Sequence, residues 1–196
     1  MVRDVWAAAD AYEDYVGRWS RQVAARFVPW LGVPPGRRWL DVGCGTGALS
    51  AAARAAGGSV AGVDPSRGFL AGGRDVVVGD ARALPFLADR FDVVVSGLAL
   101  NFVPDPARAV AELTRVAVPG ATVASYVWDY ADGMTMMRLF WDAAPAYLAA
   151  RPPAVRDRIR AALRDRLPAR DLHLTARAWA VRGRWGGAST GPPSLS

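Results

Sequence analysis

A glycine-rich stretch, Asp41-Val42-Gly43-Cys44-Gly45-Thr46-Gly47, follows the apolar residues Trp39 and Leu40. Glycine serves where the backbone adopts a positive φ or where another molecule approaches the main chain closely. The alanine-rich residues 48–53 predict a helix whose first N–H groups point toward this turn. The stretch therefore predicts a ligand lying against the main chain. The candidate binding residues here are Asp41, Gly43, Cys44, Gly45, Thr46 and Gly47.

More polar residues follow three later apolar runs. Asp64-Pro65 ends the second run, Asp80-Ala81 the third and Ser96-Gly97 the fourth. Asp64 lies 17 residues beyond Gly47, a distance suited to a carboxylate that accepts two ribose hydroxyls. A single aspartate at such a position commonly caps the next helix or turn. Three aspartates at successive strand ends, Asp41, Asp64 and Asp80, together with a glycine turn favour one shared binding crevice.

Strand and helix patterns alternate in the part of the chain that holds these residues. Apolar runs predict strands at 39–42, 59–63, 76–78, 91–96 and 122–128, and helical patterns lie at 47–56, 66–71 and 106–116. This alternation implies right-handed βαβ units and a mostly parallel sheet with helices on both faces. Ligands of such sheets bind beyond the carboxyl ends of the strands. We therefore expect an α/β, Rossmann-like fold with its crevice at that edge.

Two kinds of nucleotide ligand fit a glycine turn of this type. Gly43, Gly45 and Ala48 loosely satisfy the G-x-G-x-x-G/A pattern of nicotinamide and flavin enzymes, and Asp64 follows at about the usual distance. That pattern is weak by itself, and a dinucleotide has no particular need for Asp80. A nucleoside with an amino-acid tail needs a ribose acceptor, an acceptor for the adenine amine and polar groups for its ammonium and carboxylate. The second kind is therefore favoured.

The motifs LDVGCGTGALS, VAGVDPS, VGDARALPF and FDVVVSGLALNFVPDPARAVAELTRVAVPGATVASYVWDY resemble those of class I S-adenosylmethionine-dependent methyltransferases. They are most similar to the small-molecule branch of ubiquinone- and menaquinone-type methylases. The resemblance runs from about residue 12 to 141 and returns in LTARAWAVRG. The segment between these parts is shorter than in the family, which has a further helix and strand there. The resemblance implies methyl transfer from S-adenosylmethionine to a small organic acceptor; the alternative is a cofactor-binding protein without a complete acceptor pocket.

The resemblance also implies roles for the candidate residues. The three glycines would lie against the methionine and ribose part of the cofactor, Asp41 would orient its ammonium group and Asp64 would hold the ribose. Asp80 and Ala81 would meet the adenine, while Ser96, Gly97 and Leu98 would line the path toward the methyl group. These assignments define one cofactor crevice with S-adenosylhomocysteine as the product.

No residue stands out as a general base, so the catalytic residues are left unassigned. A sulfonium methyl is already activated, and a base is required only where the acceptor must lose a proton. His173 is the single histidine, and an exposed or capping role is favoured for it. Positional candidates for a base are Tyr12, Tyr15 and Asp129, and those for an acceptor pocket are Trp19, Asn101, Phe102, Trp128 and Tyr130. Cys44, the single cysteine, is expected to fill space, and no metal site is expected.

Composition narrows the class of protein. The 196 residues include 52% hydrophobic and 21% charged residues, which fits a globular domain without a membrane span and favours a cytoplasmic enzyme. The net charge of +6 arises in the last third, since ten of the 24 arginines lie in residues 151–184. No nucleic-acid-reading motif accompanies that charge, so nucleic-acid binding is not expected. The sequence does not indicate an oligomeric state.

The expected organisation is a single domain over residues 1–185 with a disordered tail at 186–196. Residues 1–36 would form a helical cap, 37–130 the cofactor-binding core and 131–185 a shortened C-terminal part. In that part, the apolar spacing of Val155, Ile159, Leu163 and Leu167 predicts a helix, and alternation over 172–181 predicts a strand with one packed face. We expect this strand to run antiparallel beside the fifth strand. It would give a sheet of six strands and leave the acceptor pocket more open than in the family.

Overall fold

The computed structural model describes residues 18–70, 73–130 and 176–186, together with positions 154, 157, 158, 161, 164 and 165. Two compact units divide the chain. The first combines residues 1–127 with 180–196, and the second comprises residues 128–179. The glycine-rich turn and all the candidate cofactor residues lie in the first unit.

Six strands are present in the described part of the chain, and they form one sheet. They are β1 (Arg38–Val42), β2 (Ser59–Asp64), β3 (Val76–Val78), β4 (Phe91–Gly97), β5 (Ala117–Trp128) and β6 (Ala178–Arg184). Their order is β3-β2-β1-β4-β5-β6, and the pairs from β3 to β5 are parallel. The β5–β6 pair is antiparallel: the N–H of Gly120 donates to the carbonyl of Trp185, and the N–H of Trp185 donates to the carbonyl of Ala121. The expected α/β fold and the antiparallel sixth strand are confirmed.

Within the continuously described ranges, three α-helices accompany the sheet: α1 (Arg18–Leu31), α2 (Ala48–Ala55) and α3 (Pro106–Val116). A 3₁₀ turn spans Leu100–Phe102. The start of α3 illustrates why the helices form where they do. Asp105 caps it by accepting a hydrogen bond from the N–H of Arg108, and Pro106 occupies the first turn, where its missing N–H removes no helical bond. Its buried face is formed by Ala109, Leu113 and Val116.

The side chains of β1 are apolar on one face of the sheet and include a carboxylate on the other. Leu40 and Val42 pack with Val94 and with Leu113 of α3 in one hydrophobic cluster. Because successive side chains of a strand point to opposite faces, Asp41 points away from that cluster. Helix α2 lies on this side of the sheet, because its residue Ser50 donates a hydrogen bond to Asp41. The alternation within β1 thus turns one buried carboxylate toward the N-terminal end of α2.

Three details of the sequence-based expectation need correction. Residues 66–71 do not form a helix in their described part, 66–70, because only 11 residues join Asp64 to Val76 and they include three glycines. β5 begins at Ala117, five residues before the expected start, because Ala117 pairs with Phe91 ahead of an irregularity in the register. β6 extends to Arg184, and it is exposed along nearly its whole length rather than on one face. The expected strand residues 172–175 lie outside the described residues.

Few residues of the unit 128–179 are described. The N–H of Asp129 donates to the carbonyl of Arg177. Nε of the Arg177 guanidinium donates to Oδ2 of Asp129 at 2.6 Å. The same guanidinium lies 5.3 Å from the ring centroid of Trp179. The six described positions between 154 and 165 are helical and exposed. The stripe of Val155, Ile159, Leu163 and Leu167 lies outside the described residues.

None of the helices described in the structure has the length and apolar character needed to cross a bilayer.

Candidate functional site

The turn after β1 is held in a conformation that favours glycine at three positions. Gly43, Gly45 and Gly47 have φ values of 73°, 51° and 89°, all in the left-handed region. The N–H groups of Gly43 and Cys44 both donate to the carbonyl of Val63, at 2.8 and 3.1 Å. These two bonds fasten the turn to the end of β2. The glycines are therefore explained by backbone geometry as well as by access to a ligand.

The three glycines differ in what surrounds them. A Cβ on Gly43 would lie 2.3 Å from the Cβ of Ala99, in the segment after β4. Among the described residues, a Cβ on Gly45 would meet nothing within 4 Å, and one on Gly47 would touch only Ser50, at 4.0 Å. Gly43 thus permits the approach of a neighbouring segment, whereas Gly45 leaves an open surface over the main chain.

Asp41, at the carboxyl end of β1, is almost completely buried beside this turn. It is 1% exposed, and its Oδ2 accepts a 2.7 Å hydrogen bond from the hydroxyl of Ser50 in the first turn of α2. Its Oδ1 is buried and has no hydrogen-bond partner among the described residues. Burial raises the pKa of Asp41 from 3.8 to about 6, and the hydrogen bonds from Ser50 oppose this rise. A buried carboxylate with one free acceptor fits a cationic donor.

Asp64, at the carboxyl end of β2, is hydrogen-bonded to the main chain of the glycine turn. Its Oδ2 accepts from the N–H of Gly45 at 2.9 Å, and its Oδ1 accepts from the N–H of Ser66 at 2.9 Å. Asp64 is 7% exposed. These two bonds fix the orientation of the carboxylate, whose oxygens can each accept more than one hydrogen bond. Pro65, next to it, is exposed.

Cys44 and Thr46 alternate with the glycines. Cys44 is 7% exposed, and its Sγ would lie 2.8 Å from a Cβ on Gly62, so it fills the space above a glycine of β2. Burial and the nearby charges of Asp41 and Asp64 raise the pKa of the Cys44 thiol far above neutrality. A thiol in this state is a poor nucleophile, in keeping with the expected filling role. Thr46 is partly exposed.

Asp80, two residues after β3, is engaged by an arginine that the sequence did not single out. Its Oδ1 accepts from the N–H of Arg82 at 2.8 Å, and its Oδ2 accepts from the Arg82 guanidinium at 2.6 Å. These bonds lower the pKa of Asp80 to about 2. Asp80 therefore stays ionised. Any further donor at this carboxylate has to share it with Arg82; Ala81 beside it is partly buried.

The end of β4 is closely packed. Ser96 is fully buried, on the same face of the strand as Val94, and its hydroxyl oxygen has no hydrogen-bond partner among the described residues. A Cβ on Gly97 would lie 2.5 Å from the hydroxyl of Tyr126. Leu98 follows with a φ of 61°, a strained conformation for leucine, and its N–H donates to the carbonyl of Tyr126 at 2.8 Å. This bend carries Ala99 against Gly43.

The positional candidates for a base or an acceptor pocket are divided between the two units, and some lie outside the described residues. Asn101 and Phe102 are exposed on the 3₁₀ turn of the first unit. Asp129, Trp128 and Tyr130 belong to the second unit, where Asp129 is already bonded by Arg177. Trp19 is partly buried in α1. Tyr12, Tyr15 and His173 lie outside the described residues.

Comparison with known proteins matches this region to one family. Residues 40–125, which include the glycine turn and the ends of β1 to β4, match the family model described as a methyltransferase domain. These residues therefore belong to the methyltransferase-domain family. The resemblance inferred from the sequence motifs is therefore confirmed.

Proteins and solved structures that are similar to this chain support the family match. The demethylmenaquinone methyltransferase of Renibacterium salmoninarum is 41% identical over 109 residues, 53% of this chain and 44% of that protein. The chain thus matches less than half of this relative. A Haloferax volcanii structure of the Trm112 methyltransferase activator with the protein assigned as its methyltransferase shares 31% identity, with a TM-score of 0.53 over 63% of this chain and 59% of that one. The YcgJ protein of Bacillus subtilis is 17% identical, with a TM-score of 0.57 over 85% and 98%, which supports the fold.

Sequence reasoning missed three residues that shape this methyltransferase site. Ser50 holds Asp41, Ala99 packs on Gly43, and Arg82 binds Asp80. A pattern for Ser50 was available, since it is the one hydroxyl residue among the alanines and the leucine at 48–53. No local pattern marks Ala99, because its contact depends on the neighbouring strands β1 and β4. Within the described residues, no group of three or more His, Cys, Asp or Glu side chains is placed to hold a metal ion.

Proposed function

We propose that this protein binds S-adenosylmethionine at the turn after β1 and transfers its methyl group to a small organic acceptor. The observation that supports this most directly is the pair of buried carboxylates beside the open surface of Gly45. Oδ1 of Asp41 has no hydrogen-bond partner among the described residues, and Asp64 accepts from the N–H of Gly45. S-Adenosylmethionine carries an ammonium group and ribose hydroxyls, which are the donors that two such carboxylates accept. The residues present therefore fit the cofactor.

The proposed roles follow the positions of these residues along the sheet edge. Asp41 would accept from the ammonium group, Asp64 from the ribose, and Gly43, Gly45 and Gly47 would allow the cofactor to lie on the main chain. Thr46, Cys44 and Pro65 would complete the walls beside these glycines. Asp80 and Ala81 would meet the adenine, and Ser96 and Gly97 would support the bend that leads to the methyl group.

The bound cofactor supplies an electrophilic methyl group on a sulfonium. This chain would contribute orientation, because alignment of a reactive methyl with an acceptor accounts for a large part of such rate enhancements, about 7–11 kcal/mol in favourable cases. The fixed carboxylate of Asp64 and the closely packed bend at Leu98 are suited to that task. No described side chain is assigned as a base. The acceptor is proposed as a small molecule, a class that includes the quinone precursor for which the Renibacterium relative is named.

Calorimetry and turnover test this proposal together. S-Adenosylhomocysteine should bind the purified protein at sub-millimolar concentration, and NADH should not. A library of small acceptors that includes a demethylmenaquinone analogue should then yield one or more compounds that release S-adenosylhomocysteine from S-adenosylmethionine. Absence of binding would refute the proposal. Binding without turnover of any acceptor would favour the non-catalytic alternative.

Asp64→Asn is expected to weaken S-adenosylhomocysteine binding about tenfold. The amide replaces a charge-assisted acceptor by a neutral one, which roughly halves the strength of each hydrogen bond to the ribose. Calorimetric titration at pH 7 measures the change. Asp92→Asn is a matched control, because Asp92 accepts from Arg38 at the opposite end of β1 and β4, and its affinity should equal that of the wild type. Equal affinities in both variants would contradict the role of Asp64.

Arg82→Ala is expected to strengthen cofactor binding two- to fivefold. Removing the guanidinium frees the Asp80 carboxylate, which keeps its bond from the main-chain N–H of residue 82. The effect is small because partly exposed ion pairs contribute only about 0–1 kcal/mol. A competition titration with adenosine as the displacing ligand measures it. Weaker binding in this variant would show that Arg82 itself contacts the ligand.

A further inference from the structure

A buried serine hydroxyl controls the orientation of Asp41. Ser50 is 2% exposed, and its Oγ donates to Oδ2 of Asp41 at 2.7 Å across the junction between α2 and β1. This bond leaves Oδ1, which has no partner among the described residues. A carboxylate held at one oxygen by a fixed donor presents its second oxygen in a single orientation, so the serine determines which acceptor is available to a ligand.

The same hydroxyl acts on the ionisation of Asp41. Burial in the first unit favours the neutral carboxyl group, and the charge of Asp64 on β2 acts in the same direction. The hydroxyl and main-chain N–H of Ser50 oppose this, with a smaller contribution from Arg54 on α2. The thiol of Cys44 stays neutral, since its pKa is raised. Ser50 is thus the largest influence that keeps Asp41 charged at neutral pH.

We infer that Ser50 is a positioning residue for the cofactor: its hydroxyl orients Asp41 and keeps it ionised, so that Asp41 can accept from the ammonium group of S-adenosylmethionine. This inference rests on the proposed function and assigns a role to a residue that touches the cofactor only through Asp41. Its consequence is a pH-dependent affinity. A protonated Asp41 loses its attraction for the ammonium group, so binding weakens as the pH falls below about 6.

Two ligands separate this effect from any other change in the site. S-Adenosylhomocysteine has an ammonium group, and 5′-methylthioadenosine has the same nucleoside without the amino-acid tail. Calorimetric titrations of the wild type between pH 5 and 8 should show an affinity for S-adenosylhomocysteine that falls up to tenfold per pH unit below about 6. The affinity for 5′-methylthioadenosine should stay constant over this range.

Ser50→Ala is the decisive variant. It should move the pH midpoint upward by about one unit, because a hydrogen bond to the charged form is lost, and this shift lowers the affinity for S-adenosylhomocysteine about twofold at pH 7 and about tenfold at pH 5. The affinity for 5′-methylthioadenosine should not change. Ser50→Thr, which keeps the hydroxyl, should restore both the affinity and the midpoint. Ser50→Cys retains the volume with a weaker donor and should shift the midpoint in the same direction as alanine, which keeps the test valid if the alanine variant does not fold.

The outcomes distinguish this inference from the proposed function. Failure of both ligands to bind the wild type refutes the proposed function. Binding of S-adenosylhomocysteine with the same midpoint in wild type, Ser50→Ala and Ser50→Cys refutes the inference and leaves the proposed function intact. An equal loss of affinity for both ligands in Ser50→Ala also refutes it, because that pattern indicates a general disturbance of the turn.

Discussion

Asp41→Asn is expected to raise the stability of the ligand-free protein at pH 7 while it weakens S-adenosylhomocysteine binding by about ten- to a hundredfold. The gain in stability arises because the wild type ionises a carboxylate that is 1% exposed, and burial raises its pKa from 3.8 to about 6. A rise of this size corresponds to about 3 kcal/mol of unfavourable free energy at neutral pH. The new amide N–H groups need partners, so we expect a net gain of about 1–2 kcal/mol.

The gain should depend on pH in a defined direction. Because the pKa of Asp41 is higher in the folded than in the unfolded protein, its contribution to stability is fully present below about 4 and is lost as the pH rises through about 6. The asparagine variant does not ionise at this position, so its free energy of unfolding does not fall in this way as the pH rises. Its advantage over the wild type should therefore grow between pH 4 and 6 and stay constant above. Urea unfolding of both proteins at pH 5 and pH 7.5 measures the difference.

The loss of binding has a separate cause. Asparagine can accept from Ser50 through its amide oxygen, but it offers no negative charge to the ammonium group of the cofactor. Removing a buried charge-assisted contact costs about 1.5–3 kcal/mol, or ten- to a hundredfold in affinity. A variant that is less stable than the wild type at pH 7.5, or one that binds S-adenosylhomocysteine with unchanged affinity, would contradict the description of Asp41 as a buried carboxylate that binds the cofactor.

Gly45→Ala is expected to weaken cofactor binding at least a hundredfold with only a small loss of stability. The added methyl group meets no atom of the described residues within 4 Å, so it enters the surface on which the cofactor is proposed to lie. The φ of 51° costs about 1–2 kcal/mol for a residue with a Cβ. Calorimetry with S-adenosylhomocysteine and thermal unfolding measure the two effects separately.

Two other glycines make this test specific. Gly36 precedes β1 at the opposite end of the strand, has a φ of 79° and also has open space around it, so Gly36→Ala should show the same loss of stability with unchanged binding. Gly43→Ala places a methyl group 2.3 Å from the Cβ of Ala99 and should destabilise the fold more than either. If Gly45→Ala binds S-adenosylhomocysteine as Gly36→Ala does, the cofactor does not lie on this turn.

Local sequence patterns were sufficient for most of the sheet. The strand ending in Asp41 and the strand ending in Asp64 were predicted to within one residue at each end, because buried parallel strands are short apolar runs bounded by glycine or polar residues. The helix at Pro106–Val116 was predicted with the observed bounds, since Asp105 and Pro106 mark its start. The family was also readable, because its motifs combine several strand ends in a fixed order.

Patterns failed where distant segments decide the outcome. The early start of β5 depends on the pairing of Ala117 with Phe91, which no local run of residues reveals. The exposure of β6 likewise could not be read from its alternating sequence, because alternation reports a difference between two faces and not whether anything covers either face.

For the site, local patterns of residues were enough to identify the polar groups at the strand ends: Asp41 before the glycines, Asp64, Asp80 and the Ser96-Gly97 pair. Tertiary structure decided how they differ. Asp41 is buried against Ser50 and has one oxygen without a partner among the described residues, Asp64 accepts from the N–H of Gly45, and Asp80 is paired with Arg82. The physical reason is that hydrogen bonding and desolvation depend on neighbours brought together by folding. Identical carboxylates at equivalent strand ends thereby acquire a pKa of about 6 in one case and about 2 in another.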